Sequence, residues 1–348
     1  MTSLSVLDQS PIRQGGTAAQ AIRETLELAR ACERLGYHRY WLAEHHNTSG
    51  FAGSAPEILI GAVASATSRI RVGSGGVMLP HYSPLKVAEV FRMLETLYPG
   101  RIDLGLGRAP GSDPRTSAAL QPGPQAYGID VFPQQIELLV QFLEDATGLE
   151  GAQGGFPDTH PYRGIHAMPS GEAFPELWML GSGGDGAVHA GHFGLPYCFA
   201  HFIRGEADAG PVELYRQCFR PSRGLAAPKA ALAVSVVVAD TEEEAVRLSA
   251  PRNFWIVQLL QGKTSAFPTP EEALAYPYNA QERDLLANAK TRSIVGAPAQ
   301  VRDRLLAMGK AFGADDFVVL TITHDFKDRL RSYELLADAF SLDAGGGL

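Results

Sequence analysis

Residues 69–107 read RIRVGSGGVMLPHYSPLKVAEVFRMLETLYPGRIDLGLG. An apolar, β-rich run over Arg69–Leu79 comes first. Ser83 and Pro84 then have the form of an N-cap and first helical residue, opening a helix predicted to reach about Tyr98. A second β-rich run, Arg101–Gly107, follows. Strand, helix, strand in this order is the parallel crossover unit. Upstream, strands are expected at Ser3–Leu7 and His38–Ala43. The helices there run from Thr17, in capping-box spacing with Gln20, to Gly36, and over Pro56–Ser65. Downstream, strands are expected at Glu176–Leu180, Leu195–Ala200, Ala230–Val238 and Asp316–Thr323. The helices between and after them cover Gln134–Ala146, a short segment ending near Gly194, Pro211–Phe219, a segment capped by Thr241 with Glu244, Pro298–Gly309, and a last one to about Phe340. Eight strands, each followed by a helix, predict an α/β fold, a closed (β/α)8 TIM barrel, with a doubly wound open sheet as the alternative. Residues 1–340 then form a single domain. Two stretches break the rhythm and read as insertions: 148–175, rich in Gly and Pro, and 251–292, with mixed signals around Pro268, Pro270 and Pro277. The tail 341–348 should be flexible.

Composition narrows the function. The 348 residues are 45% hydrophobic and 20% charged, enough for a large core. A formal net charge of -8 argues against a nucleic-acid surface. Cys32, Cys198 and Cys218 form no CxxC pair, which suggests reduced thiols in a cytoplasmic protein. The N-terminus has no basic patch followed by an apolar run, and no stretch of about 18 apolar residues suggests a membrane span.

In a parallel barrel, chemistry belongs at the C-terminal ends of the strands. The second strand ends in Glu44-His45-His46; alternation puts Glu44 and His46 on one side and His45 on the other. His45 is a candidate acid/base near neutral pH, or a hydrogen-bonded structural group. His81 and His201 lie at other strand ends, but no HxH or HExxH spacing is present, so no metal is expected. The third strand carries Gly73, Gly75 and Gly76. These mark either a bulge or a backbone pressed against a flat ligand ring through an unusual peptide geometry. Arg108, just past the fourth strand, suits a phosphate or carboxylate; the alternative is an ion pair with Asp113 or another acid. Gly181-Ser182-Gly183-Gly184-Asp185-Gly186 matches GxGxxG, and Glu206 could pose as a ribose-binding acid. The motif follows the fifth strand, however, and the next strand arrives quickly, so a Rossmann site is disfavoured. Free amides at that helix start would still attract a phosphate.

WLAEHH (41–46), VGSGGVMLPHYSP (72–84), RIDLGLGRAPG (101–111) and WMLGSGGDG (178–186) with GLPYCFAHF (194–202) resemble the bacterial luciferase-like flavin-dependent monooxygenases, closest to the single-chain alkanal-monooxygenase-like branch. The resemblance covers most of residues 1–205 and returns at SIVGAPAQVRDRLLAM (293–308). It implies an oxidoreductase that uses reduced FMN and O2 to oxidise a small organic substrate through a flavin hydroperoxide. A separate NAD(P)H:flavin reductase would supply the electrons, and a homodimer is expected. Gly75 and Gly76 fall where the family often has a cis non-proline peptide behind the isoalloxazine. Arg108 falls at the flavin phosphate, with Ser182, Gly183 and Gly184 on its other side. His45 falls where bacterial luciferase has a histidine important for flavin–oxygen chemistry. Gly107 replaces a reactive cysteine of some luciferases, so no thiol is expected beside the flavin. Ser182 stands where the luciferase catalytic subunit has a glutamate. A deazaflavin-dependent hydride-transfer enzyme, a metal-dependent hydrolase and a non-catalytic flavin-binding protein are the alternatives. The aromatics Phe254, Trp255, Phe267, Tyr276 and Tyr278 suggest that 251–292 forms a lid or substrate wall, or packs as ordinary structure.

Overall fold

The computed structural model describes residues 2–109, 113–121, 129–148, 156–172, 174–205 and 208–343. Nine strands form one parallel sheet: β1 (Ser3–Asp8), β2 (Arg39–Leu42), β3 (Arg71–Met78), β4 (Ile102–Gly107), β5 (Glu176–Gly181), β6 (Tyr197–Ala200), β7 (Ala230–Val238), β8 (Ser293–Gly296) and β9 (Asp316–Leu320). β1 to β7 pair in sequence order from β1 to β6 and on to β7, and β9 joins β7 back to β1. Eight strands therefore close the (β/α)8 barrel. The ninth, β8, only extends the upper end of β7, from Ser235↔Ser293 to Val238↔Gly296.

Strand β8 is a correction to the sequence reading. SIVG is too short to carry a period, so nothing distinguished it from the loop before the next helix. A second correction concerns 251–292. The helix Glu242–Leu260 runs straight through Pro251, so the segment does not begin there as a separate unit. An internal proline removes one backbone bond, at a cost of about 3 kcal/mol. Burial of Leu248, Ile256 and Val257 along the same helix offsets it. A short helix, Pro114–Leu120, was not anticipated; Asp113 caps it by accepting from the backbone N–H groups of Arg115 and Thr116. Of the segment 148–175, the described part lies against the helices Pro84–Leu97 and Phe132–Gly148: Arg92 donates to the carbonyls of Pro169 and Gly171, and Phe156 packs on Phe142. Residues 149–155 and 173 lie outside the described residues, as does the tail 344–348.

The barrel interior is layered. Its lower end is ionic. Buried Asp103 accepts from Arg39, from Arg71 and from the Trp41 indole (2.7, 2.9 and 2.9 Å), while Glu176 takes Arg39 and Lys229. Burial pushes the Glu176 carboxyl up, but Arg39, Lys229 and Arg71 outweigh it and hold it down at about 2. Above this layer Trp41 meets Trp178 edge-on at 5.3 Å. Above them in turn the inward positions are small or apolar: Leu7, Gly75, Ala233, Val318. This change from ionic to apolar leaves room at the C-terminal end of the strands. Outside the barrel, buried Asp8 at the end of β1 accepts from Tyr40 and from Arg329, tying the last helix, Phe326–Phe340, to the first strand. No helix among the described residues is long and apolar enough to cross a membrane.

Candidate active site

A cavity of about 560 Å³ opens at that C-terminal end. Its volume falls in the range of roughly 300–1,000 Å³ typical of cofactor and small-ligand sites. One wall is glycine backbone. Strand β3 shifts register between Gly75 and Val77 against β4, and the Gly75–Gly76 peptide is cis. The register shift and the unusual peptide geometry thus coincide at the cavity wall. An added Cβ at Gly76 would lie 2.7 Å from the Gly105 carbonyl oxygen, which is backbone, and one at Gly75 would lie 2.5 Å from the tip of Leu7 and force that side chain to move. The deeper wall is apolar, with Leu7, Trp41, Ala233 and Val318.

The rim brings two arginines to the start of a helix. Helix Gly184–His192 begins at Gly183, which has no side chain to cap it, so its first amides have no capping partner. The Tyr197 hydroxyl donates to the carbonyls of Gly181 and Gly183 and fixes the turn. A Cβ on Gly181 or Gly186 would lie 3.3 Å from the other's Cα, so the turn is tightest with glycine at both ends. Arg108 reaches the same turn and pairs with Asp185 at 2.7 Å. The sequence had offered Asp113 or another acid as a partner; Asp185 is the one. Both members are exposed, at 39% and 69%, and such a pair contributes only about 0–1 kcal/mol. Arg204 adds a second cation. It ends the short helix His201–Arg204 after β6, lines the cavity, and points its guanidinium toward Gly183. Reading the sixth strand end by the barrel rule would have found it; the sequence reading applied that rule there only to His201.

Gly75, Gly76, Arg108, Ser182, Gly183 and Gly184 thus all line one cavity. His45 does not line it. It sits beyond the end of β2 with its ring 4.5 Å from that of Phe51. Its Nδ1 is buried without a hydrogen-bond partner, and the Gln9 amide approaches its Nε2 at 3.5 Å. Burial, with a smaller push from His46, lowers its pKa to about 4, so the ring is neutral at ordinary pH. Glu44 faces the other way, as alternation required. It accepts from His46, Tyr82 and the Met78 amide at 2.7, 2.7 and 2.9 Å. That network occupies the carboxylate a metal would need. Among the described residues no three His, Cys, Asp or Glu side chains are placed to share a metal ion. A thiol does line the cavity: Cys198, from β6. Burial raises its pKa, so it stands as a neutral thiol and a poor nucleophile. Gly107 removes a thiol only from the fourth strand end; against expectation, β6 brings one to the same cavity.

The aromatics of 251–292 divide. Trp255 and Phe267 pack on each other and on Phe51, closing the barrel's interior cluster from above. Phe254, Tyr276 and Tyr278 pack among themselves. Only the first group joins the barrel's interior cluster, and neither of its members lines the cavity.

A parallel barrel with a glycine-walled, cation-rimmed cavity at the strand C-termini has the form of a TIM-barrel enzyme site. Residues 2–316 match the luciferase-like monooxygenase family, and the chain belongs to it. It is an oxidoreductase. It is 39% identical over 336 residues to a luciferase-like monooxygenase of Escherichia coli (strain K12), covering 97% of this chain and 96% of that protein. It is 38% identical over 343 residues to the N-acetyl-S-alkylcysteine monooxygenase of Bacillus subtilis (strain 168), covering 97% and 98%. Among solved structures it is similar to apo-MsnO8, at 40% identity and a TM-score of 0.89 over 99% of both chains.

Proposed function

We propose that this monooxygenase uses reduced FMN and O2 to oxidise a small organic substrate. A separate NAD(P)H:flavin reductase supplies the reduced cofactor, and the protein works as a homodimer. One observation carries the reading: a single cavity joins a flat glycine wall to an anion cradle made of Arg108, Arg204 and an uncapped helix start. A planar ring with a phosphate tail has the matching shape and charge. When bound, reduced FMN supplies the electron pair that reduces one oxygen atom of O2 to water while the other enters the substrate.

The chain's own residues do the rest. Arg108, Arg204 and the turn at Ser182–Gly184 hold the phosphate. Gly75 and Gly76 let backbone meet the ring. Leu7, Trp41 and Val318 keep water from the reacting end. His45, neutral and with an unpartnered Nδ1, lies beyond the end of β2 and outside the lined cavity, so a proton it holds must reach the substrate through a group or water between them. The B. subtilis relative makes S-alkyl cysteine derivatives the first substrates to assay.

Anaerobic titration with reduced FMN tests the reading. Tight binding by the wild type is expected, with Arg108→Ala weakening it about 10–100-fold, the range of a charge-assisted contact of about 1.5–3 kcal/mol. If the wild type ignores reduced FMN but binds reduced deazaflavin, the enzyme is a hydride-transfer oxidoreductase on the same barrel. If Arg108→Ala binds within twofold of the wild type, the phosphate lies elsewhere.

A further inference from the structure

One titratable side chain of the cavity has no part in the proposed reaction. Among the described residues His189 is the only histidine that lines it. It sits on the helix Gly184–His192, four residues after Asp185. The two side chains therefore share a helix face one turn apart, and both lean toward the helix start. Asp185 is the partner of Arg108, so His189 stands over that ion pair. On its other side the half-buried ring meets Phe132 edge-on at 5.9 Å. Among the described residues no group hydrogen-bonds either nitrogen of this ring.

The charges around the ring are few. Partial burial holds its pKa below the usual histidine range, and Arg108 pushes the same way. Asp185 opposes them, and His192, one turn on and exposed, adds a smaller push to Arg108's. Phe132 brings no charge. His189 is therefore neutral at neutral pH in the free protein. Arg204 completes the rim, with its Nη2 3.7 Å from where a Gly183 side chain would begin. A doubly charged anion at this helix start would outweigh the arginines as the nearest charge to the ring. The field at His189 then changes sign, and the protonated imidazole becomes the favoured form.

We infer that His189 takes up a proton when an anion enters the rim, so that binding of a phosphate monoester is linked to pH through this side chain. For FMN the inference rests on the cofactor reading, but inorganic phosphate tests it separately. The direction of proton flow is distinctive. A phosphate monoester loses its second proton near about pH 6, and a site of arginines and amides alone favours the dianion and releases what remains of that proton. Net uptake requires a group on the protein.

The test follows histidine ring protons by NMR across a pH series on the full chain. Inorganic phosphate, oxidised FMN and riboflavin are the probes, and the His189 signal is the one lost in His189→Gln. Alone, His189 should titrate below the ordinary histidine range. With inorganic phosphate or FMN it should titrate above that range, and with riboflavin it should not move. Calorimetry of FMN binding near pH 7, in buffers of different ionisation enthalpy, should show uptake on the order of half a proton in the wild type and none in His189→Gln. FMN affinity should fall about threefold or more between about pH 7 and 8.5 in the wild type, and less than about twofold in His189→Gln. FMN that binds without moving the His189 titration overturns the inference. So does proton uptake that survives in His189→Gln, or a shift as large with riboflavin as with FMN, since the ring would then sense the isoalloxazine. If FMN does not bind but inorganic phosphate raises the His189 titration, the cofactor reading falls and His189 keeps its role. If neither phosphate nor FMN moves the signal, His189 is a packing residue against Phe132.

Discussion

Gly105→Ala is expected to abolish folding, while Gly107→Ala, two residues along the same strand, should fold as well as the wild type. On β4, Gly105 is the register partner of Gly75 and lies beside the Ser74 carbonyl of β3. A methyl group on Gly105 would fall on the Ser74 carbonyl oxygen and lie 3.0 Å from Leu180. The first of these is backbone. It cannot swing aside, because the Ser74 hydroxyl also bridges the two strands, donating to the Gly105 carbonyl and accepting from the Gly105 N–H at 2.9 and 3.0 Å. Overpacked side chains typically cost about 1–3 kcal/mol because neighbours can rotate. Here relief requires opening the β3–β4 ladder, so the loss should exceed about 4–5 kcal/mol, a large part of the roughly 5–15 kcal/mol that holds a domain together. At Gly107 the added carbon would meet only the Met78 sulfur at 3.4 Å and the Val77 carbonyl oxygen at 3.7 Å, ordinary contacts beside the cavity. Thermal unfolding of the two variants checks this. A Gly105→Ala protein with wild-type Tm would mean that the strands do not approach as described.

That contrast explains what the sequence could and could not reveal. The glycines of β3 and β4 were visible as a cluster, but two different causes lie beneath them. Gly73 and Gly105 are there because neighbouring strands leave no room, whereas Gly107 faces a cavity. Spacing cannot separate these causes; only neighbours three-dimensionally adjacent can. The barrel itself was legible because its strands alternate with helices and end in Gly, Arg and His. The turn at 181–186 was legible because close packing of Gly181 on Gly186 leaves a fixed residue signature. Strand β8 was not, being four residues whose only partner is the upper end of β7. Arg204 was not singled out, because an arginine in a helix usually faces solvent. Only the tertiary packing shows it turned toward Gly183.

His45→Phe should lower coupled product formation by about 10²–10⁴-fold, the usual contribution of a positioned acid or base, without lowering stability. A histidine kept for structure would have both nitrogens satisfied; here Nδ1 is buried with no partner, and Nε2 has only the long 3.5 Å approach of Gln9. An unmet buried polar group costs about 1–3 kcal/mol. Phenylalanine fills nearly the same space against Phe51, keeps the ring contact and removes the orphan. The folded protein should therefore hold or gain stability as it loses activity, the pattern expected of a functional group retained at some cost. The pH dependence gives a second, independent reading. In the unfolded chain this ring takes up its proton near 6.5, but in the folded protein only near 4. Between those values the unfolded state binds more protons, so stability must fall as pH is lowered through that window. His38 is depressed to about 4 in the same way, and His189 and His201 are also lowered by burial. Replacing His45 should thus shallow the acid-side decline in Tm without removing it. The same neutrality means that His45 cannot give activity an acid limb near pH 6.5. A His45→Phe enzyme that melts several degrees lower yet turns over normally would assign the ring to packing and leave the proton transfer to another group.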